Sequence, residues 1–137
     1  MLRRRRSAKR DGLRVATDQS MQTISRHTAE HYTWGGPHRS QCDGWHLVKT
    51  PELSIIEELM PPGASEVRHF HERARQFFFV LEGELTLEVE HREFVVRAHD
   101  GLEIPPGQAH QARNRSAHGV RFLVTSQPPS HGDRVEV

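Results

Sequence analysis

Short apolar segments separated by turn residues dominate the chain from about residue 45 onward. The pattern predicts strands at about 45–49, 53–60, 66–71, 76–82, 84–90, 93–97, 102–105, 109–114 and 120–126. Leu85, Leu87 and Val89 alternate with charged or polar residues, which is typical of a strand with one face in water. Regular strands with Gly/Pro turns, and no convincing amphipathic helix over three turns, predict an all-β protein built as a small barrel or jelly roll.

The two ends of the chain lack this pattern. Residues 1–22 are predicted to be a disordered leader, and 23–137 a single domain. Residues 23–44 contain aromatic side chains without a sustained period, and Gly35-Gly36-Pro37 breaks any helix there. The tail, 127–137, is predicted to leave the barrel as extended chain because two prolines cannot continue a central strand.

The leader carries much of the positive charge. Residues 1–20 hold seven Lys/Arg and two Asp, which leaves 12 basic and 16 acidic residues in the remainder of a chain with a net charge of +1. A tight Arg run is compatible with a nucleic-acid arm or a twin-Arg export signal. No apolar core follows it, and the acidic body gives nucleic acid no further support. A disordered leader is the favoured interpretation, and nucleic acid is not an expected partner.

The remaining bulk features restrict the environment of the protein. No apolar run approaches the roughly 18–20 residues that a membrane helix needs, so no membrane partner is expected. Cys42 is the single cysteine, so an intrachain disulfide is impossible and nothing demands an oxidising compartment. These features favour a cytoplasmic location.

Histidines at strand spacing provide the most informative chemistry. Residues i and i+2 on a strand point to the same face, so His69 and His71 can offer two imidazoles to one metal ion. Gln76 and His110, on neighbouring predicted strands, can supply a third and a fourth ligand. Imidazole ligates iron, zinc, manganese and nickel, so we expect one divalent ion of this kind per chain.

Gln76 changes the chemistry that such an ion can perform. An amide oxygen is neutral, so the ion keeps its full +2 charge and is a stronger electrophile than beside a carboxylate. Apolar bulk from Phe70 and from Phe77 to Phe79 surrounds the predicted ligand strands. A dry surround strengthens the pull of the ion on a bound oxygen atom.

The spacing of these residues resembles the two motifs of the cupin superfamily. In the first motif, Gly63 is followed after five residues by His69-Phe70-His71, then by Gln76, then after six residues by Gly83. The second motif appears as Pro105-Pro106-Gly107, followed by His110 and Asn114. Together with their flanking strands, the motifs extend the resemblance to about 45–126.

The resemblance implies a double-stranded β-helix, with the metal in the mouth of a conical barrel and usually a homodimer. Two positions depart from the family pattern: His99-Asp100 replaces the usual Gly-Asp, and Gln76 replaces the usual Glu. Cupin dioxygenases typically hold iron with three His and a Glu or with three His alone. Some cupins with three His and a Gln are lyases, isomerases or cyclases, among them one that opens unsaturated uronates. The Asp and Arg used by that enzyme have no convincing counterpart here, since Val124 falls where the Asp is expected.

A Lewis-acid reaction also needs a group that moves a proton. Glu57 and Glu58 are the candidates, because one of two adjacent strand residues must face into the barrel. A carboxyl group in apolar surroundings has a raised pKa and can serve as a base. In the tail, Asp133 and Arg134 are interpreted as a frayed terminus in preference to a flap over the barrel mouth.

Three further side chains are candidates for binding the substrate. Trp45 offers a ring for stacking, although a core position is the preferred interpretation. Arg113 and Arg121 offer bidentate contacts to an anion, although strand arginines usually face water.

Three functions remain open at this point. The first is a metal-dependent lyase or isomerase acting on a small oxygenated substrate such as a sugar acid or keto acid. The second is an iron-dependent dioxygenase. The third is a barrel that binds a small molecule without turnover.

Overall fold

A computed structural model describes residues 21–35 and 41–137, and these residues form strands and loops without a helix. Eleven strands follow one another within these described residues. They are β1 (Glu30–Gly35), β2 (Gln41–Lys49), β3 (Ser54–Met60), β4 (His69–Phe70), β5 (Arg75–Glu82), β6 (Glu84–Val89), β7 (Arg92–Arg97), β8 (Gly101–Ile104), β9 (His110–Arg113), β10 (Val120–Gln127) and β11 (Val135–Glu136). The basic leader predicted for residues 1–22 falls almost entirely outside the described part.

The strands form two antiparallel sheets. The first has the order β1-β2-β3-β10-β5-β8, and the second has the order β11-β4-β9-β6-β7. This confirms the prediction of an all-β jelly-roll barrel. No helix in the described part of the chain is long and apolar enough to cross a membrane.

Alternation along the central strands explains how the sheets enclose a core. Phe78 and Val80 on β5 are buried, as are Phe122 and Val124 on β10. Burying one such side chain stabilises the fold by about 1.5–3 kcal/mol. Strand β3 alternates in the same way. Ser54 and Met60 are buried, and Ile56 and Glu58 between them face the barrel interior.

Strand β1 is absent from the sequence-based prediction. It pairs with β2, in a register that places Tyr32 opposite Gly44. A Cβ atom at Gly44 would collide with the Tyr32 ring, so glycine allows this ring to lie across β2. Strand β1 depends on its pairing with β2, and the local pattern of apolar residues does not reveal that pairing.

The tail is also more ordered than the sequence indicates. Strand β11 pairs with β4, so that Val135 lies opposite Phe70 and Glu136 opposite His69. Asp133 is only 7% exposed and accepts hydrogen bonds from three backbone N–H groups. The prediction of a frayed terminus at Asp133 and Arg134 is therefore wrong, because backbone pairing and a buried carboxylate attach the tail to the barrel.

Candidate metal centre

Three histidines converge at one end of the barrel. His69 on β4 lies directly opposite His110 on β9, and His71 follows His69 by two residues. One ring nitrogen from each residue lies within 4.8 Å of the others, and all three side chains are buried. The i, i+2 spacing thus places both imidazoles of the His-Phe-His segment on one face, as the sequence predicts.

Backbone carbonyls fix the orientation of all three rings. The Nδ1 atoms of His69 and His110 hydrogen-bond the carbonyls of Val67 and Gln108 at 2.7 and 2.9 Å. His71 Nδ1 hydrogen-bonds the carbonyl of Asp133. A carbonyl only accepts, so each Nδ1 carries the proton and each Nε2 keeps its lone pair for a ligand.

Gln76 contributes an oxygen to the same end of the cavity. Its Nε2 donates to Ser126 Oγ at 3.0 Å, which leaves Oε1 available. Among the described residues, Gln76 Oε1, His71 Nε2 and His110 Nε2 are buried without a hydrogen-bond partner. An unpaired buried polar atom is costly, and a divalent ion would satisfy all three at once. The donor set therefore fits a divalent metal.

Burial also keeps His69 and His110 in the form that binds metal. It lowers the pKa of His69 to about 3 and lowers the pKa of His110, because both imidazolium ions would lose hydration. Both rings are consequently neutral at pH 7, and no proton must leave them before a metal binds.

A cavity of about 950 Å³ opens beside this cluster, and Glu58 lines it. Glu57, the preceding residue on the strand, lies on the opposite face of the sheet. It is only 8% exposed there, because its carboxylate pairs with Arg121 at 3.0 Å and Arg26 at 3.5 Å. The pleat of β3 therefore places Glu58 in the cavity lining and Glu57 on the other face of the sheet.

Glu58 belongs to a small acidic group inside the cavity. Its Oε2 accepts a hydrogen bond of 3.1 Å from the Tyr32 hydroxyl. Burial, and secondly repulsion from Glu66, raises the pKa of Glu58 to about 8, and burial raises that of Glu66 to about 7. Burial and the neighbouring Glu58 raise the pKa of Tyr32. Glu58 can therefore hold a proton at neutral pH and release it within the range of ordinary catalysis.

The three residues expected to contact a substrate lie away from this cavity. The ring centroids of Trp45 and His31 are 5.3 Å apart. Trp45 lies on one face of β2, and the adjacent His46 lines the cavity from the other face. Arg113 donates a hydrogen bond to Gln111 Oε1 and borders a separate surface depression. Arg121 pairs with Glu57 on the outer face. Strand alternation directs all three outward, so contact with a substrate in the cavity does not fit them.

Other side chains occupy the cavity wall instead. They include Tyr32, Trp34, His46 and Glu66. Tyr32 and Trp34 alternate with exposed residues in β1, a short period-2 signal that could have identified an inward face. No comparable local signal marks His46 or Glu66.

The family comparison agrees with this geometry. A family model that describes the cupin domain matches residues 56–126, a little more than half of the chain. This chain belongs to the cupin family. The matched region runs from β3 to β10 and includes every residue of the candidate metal centre.

Two curated relatives resemble this cupin over part of their length. An uncharacterised protein of Methanocaldococcus jannaschii is 28% identical over 89 residues, which cover 64% of this cupin and 71% of that protein. The polyketide synthase CurC of Streptomyces cyaneus is 31% identical over 70 residues, or 51% of this cupin and 46% of CurC. The match to CurC thus spans less than half of that relative.

A solved structure shows the same fold over most of the cupin. The polyketide cyclase RemF of Streptomyces resistomycificus superposes with a TM-score of 0.71 and 23% identity, covering 85% of each chain. This likeness establishes the shared barrel.

The raised pKa of Glu58 predicts an unusual pH dependence of stability for the metal-free cupin. Above its ordinary value near 4.5 and up to about 8, Glu58 is protonated when folded and ionised when unfolded, so stability falls as pH rises. His69 acts below pH 6.5, where the unfolded chain binds the extra proton and stability falls as pH falls. We expect the free energy of unfolding to decrease from pH 6.5 to 8, and less steeply in Glu58→Gln. Urea denaturation in EDTA measures how the free energy of unfolding changes with pH in the parent protein and in Glu58→Gln. An equal change in both would contradict the raised pKa of Glu58.

Proposed function

We propose that this cupin is an enzyme that uses a divalent metal as a Lewis acid on a small oxygenated substrate, in a lyase or isomerase reaction. His69, His71, His110 and Gln76 would hold the ion. The observation that carries the proposal is the set of buried, unpartnered Nε2 and Oε1 atoms at one end of a cavity that also contains Glu58, all within the described residues.

The roles of the protein groups follow from their positions. A bound divalent ion would supply charge stabilisation to a carbonyl or carboxylate oxygen of the substrate. Glu58 moves a proton to or from a carbon or oxygen atom of the substrate. Tyr32 holds the Glu58 carboxyl group by a hydrogen bond to Oε2, and so fixes the oxygen that faces the substrate. Surrounding apolar side chains such as Phe78 and Val124 limit access of water.

The cavity lining supports a substrate with both a carbonyl and an acidic group. Lys49, Arg73 and Arg134 lie around the lining. Lys49 and Arg134 already pair with Glu30 and Glu136, so Arg73 is the cation best placed to attract a carboxylate. Tyr32 and Trp34 provide ring surfaces. We therefore propose a sugar acid or keto acid. CurC is a polyketide synthase and RemF is a polyketide cyclase, and polyketides also carry carbonyl groups.

Proton exchange in heavy water tests this proposal across the whole class of substrates. The untagged protein is loaded separately with Fe²⁺, Zn²⁺, Mn²⁺ or Ni²⁺ and mixed with a panel of sugar acids and keto acids. We expect NMR to show deuterium incorporation next to a carbonyl, or conversion to an isomer or eliminated product, with Zn²⁺ and without oxygen. Turnover only with iron and with oxygen consumption would instead establish a dioxygenase. A ligand that is bound and returned unchanged under all conditions would establish a binding protein.

We also propose that two copies pair through the outer face of the six-stranded sheet. Ile55, Thr125 and Phe77 form one cross-strand row on this face, and Phe77 is 42% exposed. Leu123 and Phe79 form the adjacent apolar pair. Glu57 stands in the same row as Leu123 and pairs with Arg121, so the apolar patch has a polar rim, which is typical of an interface.

Light scattering is expected to give about twice the chain mass of 15.8 kDa. Phe77→Lys should yield a monomer, because a buried unpaired charge is costly at an interface. Val95→Lys is the matched control, since Val95 is 46% exposed on the other sheet. A monomeric parent protein would refute the dimer.

A cytoplasmic location remains a proposal that rests on the single, buried cysteine.

A further inference from the structure

A short irregular loop connects two of the candidate ligands. Residues 72–74 separate His71 from β5, which carries Gln76 as its second residue. The positions of these two side chains relative to each other depend on the conformation of this loop. Loop N–H groups have no neighbouring strand to pair with, so they need other acceptors.

The carboxylate of Asp133 supplies those acceptors from more than fifty residues away. Its Oδ1 accepts from the N–H of Glu72, and its Oδ2 accepts from the N–H groups of Arg73 and Ala74, each at 2.9 Å. One side chain thus satisfies three consecutive backbone donors. Hydrogen bonds to a charged acceptor are stronger than those between neutral groups.

The same residue also fixes one of the candidate ligands directly. The backbone carbonyl of Asp133 accepts the hydrogen bond from His71 Nδ1. Asp133 is itself held in place, because its N–H donates to the Ser130 carbonyl at 2.9 Å and β11 pairs with β4 two residues later. The carbonyl of Asp133 therefore orients the ring of His71, and its carboxylate holds the loop that follows His71.

We propose that Asp133 is a positioning residue of the metal centre, which makes the C-terminal segment part of the site. The inference rests on the metal site of the proposed function. Asp133 holds His71 in the tautomer that exposes Nε2 and fixes the loop that sets the separation of His71 from Gln76. Such partners of metal ligands typically change metal affinity by about 10–100-fold when they are replaced.

Metal affinity separates positioning from general stability. Asp133→Asn keeps the size of the side chain but replaces one accepting oxygen with an NH₂ group, so at least one loop N–H loses its partner. The main-chain carbonyl still accepts from His71 Nδ1, so the variant tests the contact between the carboxylate and the loop. Asp100→Asn is the matched control, because it makes the same chemical change at an exposed turn residue. Competition with a chelator measures the Kd for Zn²⁺, and the absorption spectrum of the Co²⁺ form reports the coordination geometry.

We expect Asp133→Asn to bind Zn²⁺ about 10–100-fold more weakly and to change the Co²⁺ spectrum, while Asp100→Asn matches the parent protein in both. Parental affinity and spectrum in a folded Asp133→Asn variant would overturn the inference and leave the proposed function intact. Failure of the parent protein to bind any divalent ion would instead refute the proposed function.

Hydrogen exchange on the parent chain provides a test that needs no variant. The amides of Glu72, Arg73 and Ala74 are expected to exchange slowly in metal-free protein, because Asp133 already holds them. If these three amides exchange as fast as those of exposed turns, the inference is overturned, even where Asp133→Asn does not fold.

Discussion

Replacing Glu58 with glutamine is expected to reduce turnover about 100-fold or more while leaving the metal content unchanged. Glutamine has nearly the same volume and can still hydrogen-bond the Tyr32 hydroxyl, but it has no proton to transfer. General acid–base catalysis typically contributes about 10²–10⁴-fold, which sets the size of the loss. The rate of deuterium incorporation or product formation measures turnover, and elemental analysis measures the metal.

The pH profile and an adjacent residue make this prediction specific. The parent enzyme should show a rate that depends on a group whose pKa burial raises above that of an ordinary carboxyl group, and Glu58→Gln should lose that limb of the pH profile. Glu57→Gln is the matched control, since Glu57 lies on the face of the strand away from the cavity and pairs with Arg121. Parental turnover in Glu58→Gln, or an equal loss in Glu57→Gln, would exclude Glu58 as the proton carrier.

Replacing His110 with alanine should abolish metal binding and with it all turnover. His110 is 1% exposed, its Nδ1 is fixed by the Gln108 carbonyl, and its buried Nε2 has no protein partner in the described residues. Removing it leaves two imidazoles and a weakly held amide, so metal content should fall from about one ion per chain to near zero.

A surface histidine controls for the loss of an imidazole in general. His118→Ala removes an exposed ring and should retain full metal content and activity. Circular dichroism of both variants shows whether the barrel persists, because His110→Ala also leaves a small void in the core. Full metal occupancy in a folded His110→Ala variant would show that the ion binds elsewhere.

Spacing along the sequence is enough to predict the strand-borne part of the candidate site. The i, i+2 histidines and the glycine turns define local geometry, and they bring His69, His71 and His110 together as expected. Alternation shows that one of Glu57 and Glu58 faces inward, but not which one. The phase is set by the neighbouring strands, where β3 pairs with β2 and β10 in a register that turns Glu58 to the cavity.

The remaining parts of the site depend on contacts that the sequence does not encode locally. Tyr32 reaches Glu58 only because β1 pairs with β2 and Gly44 leaves space for its ring. Asp133 lies in a segment without periodicity, and its role arises from loop donors about sixty residues earlier in the chain. Trp45, Arg113 and Arg121 suit substrate binding by residue type, yet strand alternation places them outside the cavity.

X-ray absorption spectroscopy of the metal-loaded, untagged protein is the decisive measurement for the metal centre, because it identifies the atoms around the ion. We predict one divalent ion per chain with three imidazole ligands and additional oxygen, and one fewer imidazole around any ion that His110→Ala retains. An ion with fewer than three imidazoles in the parent protein, or an unchanged spectrum in His110→Ala, would contradict this assignment.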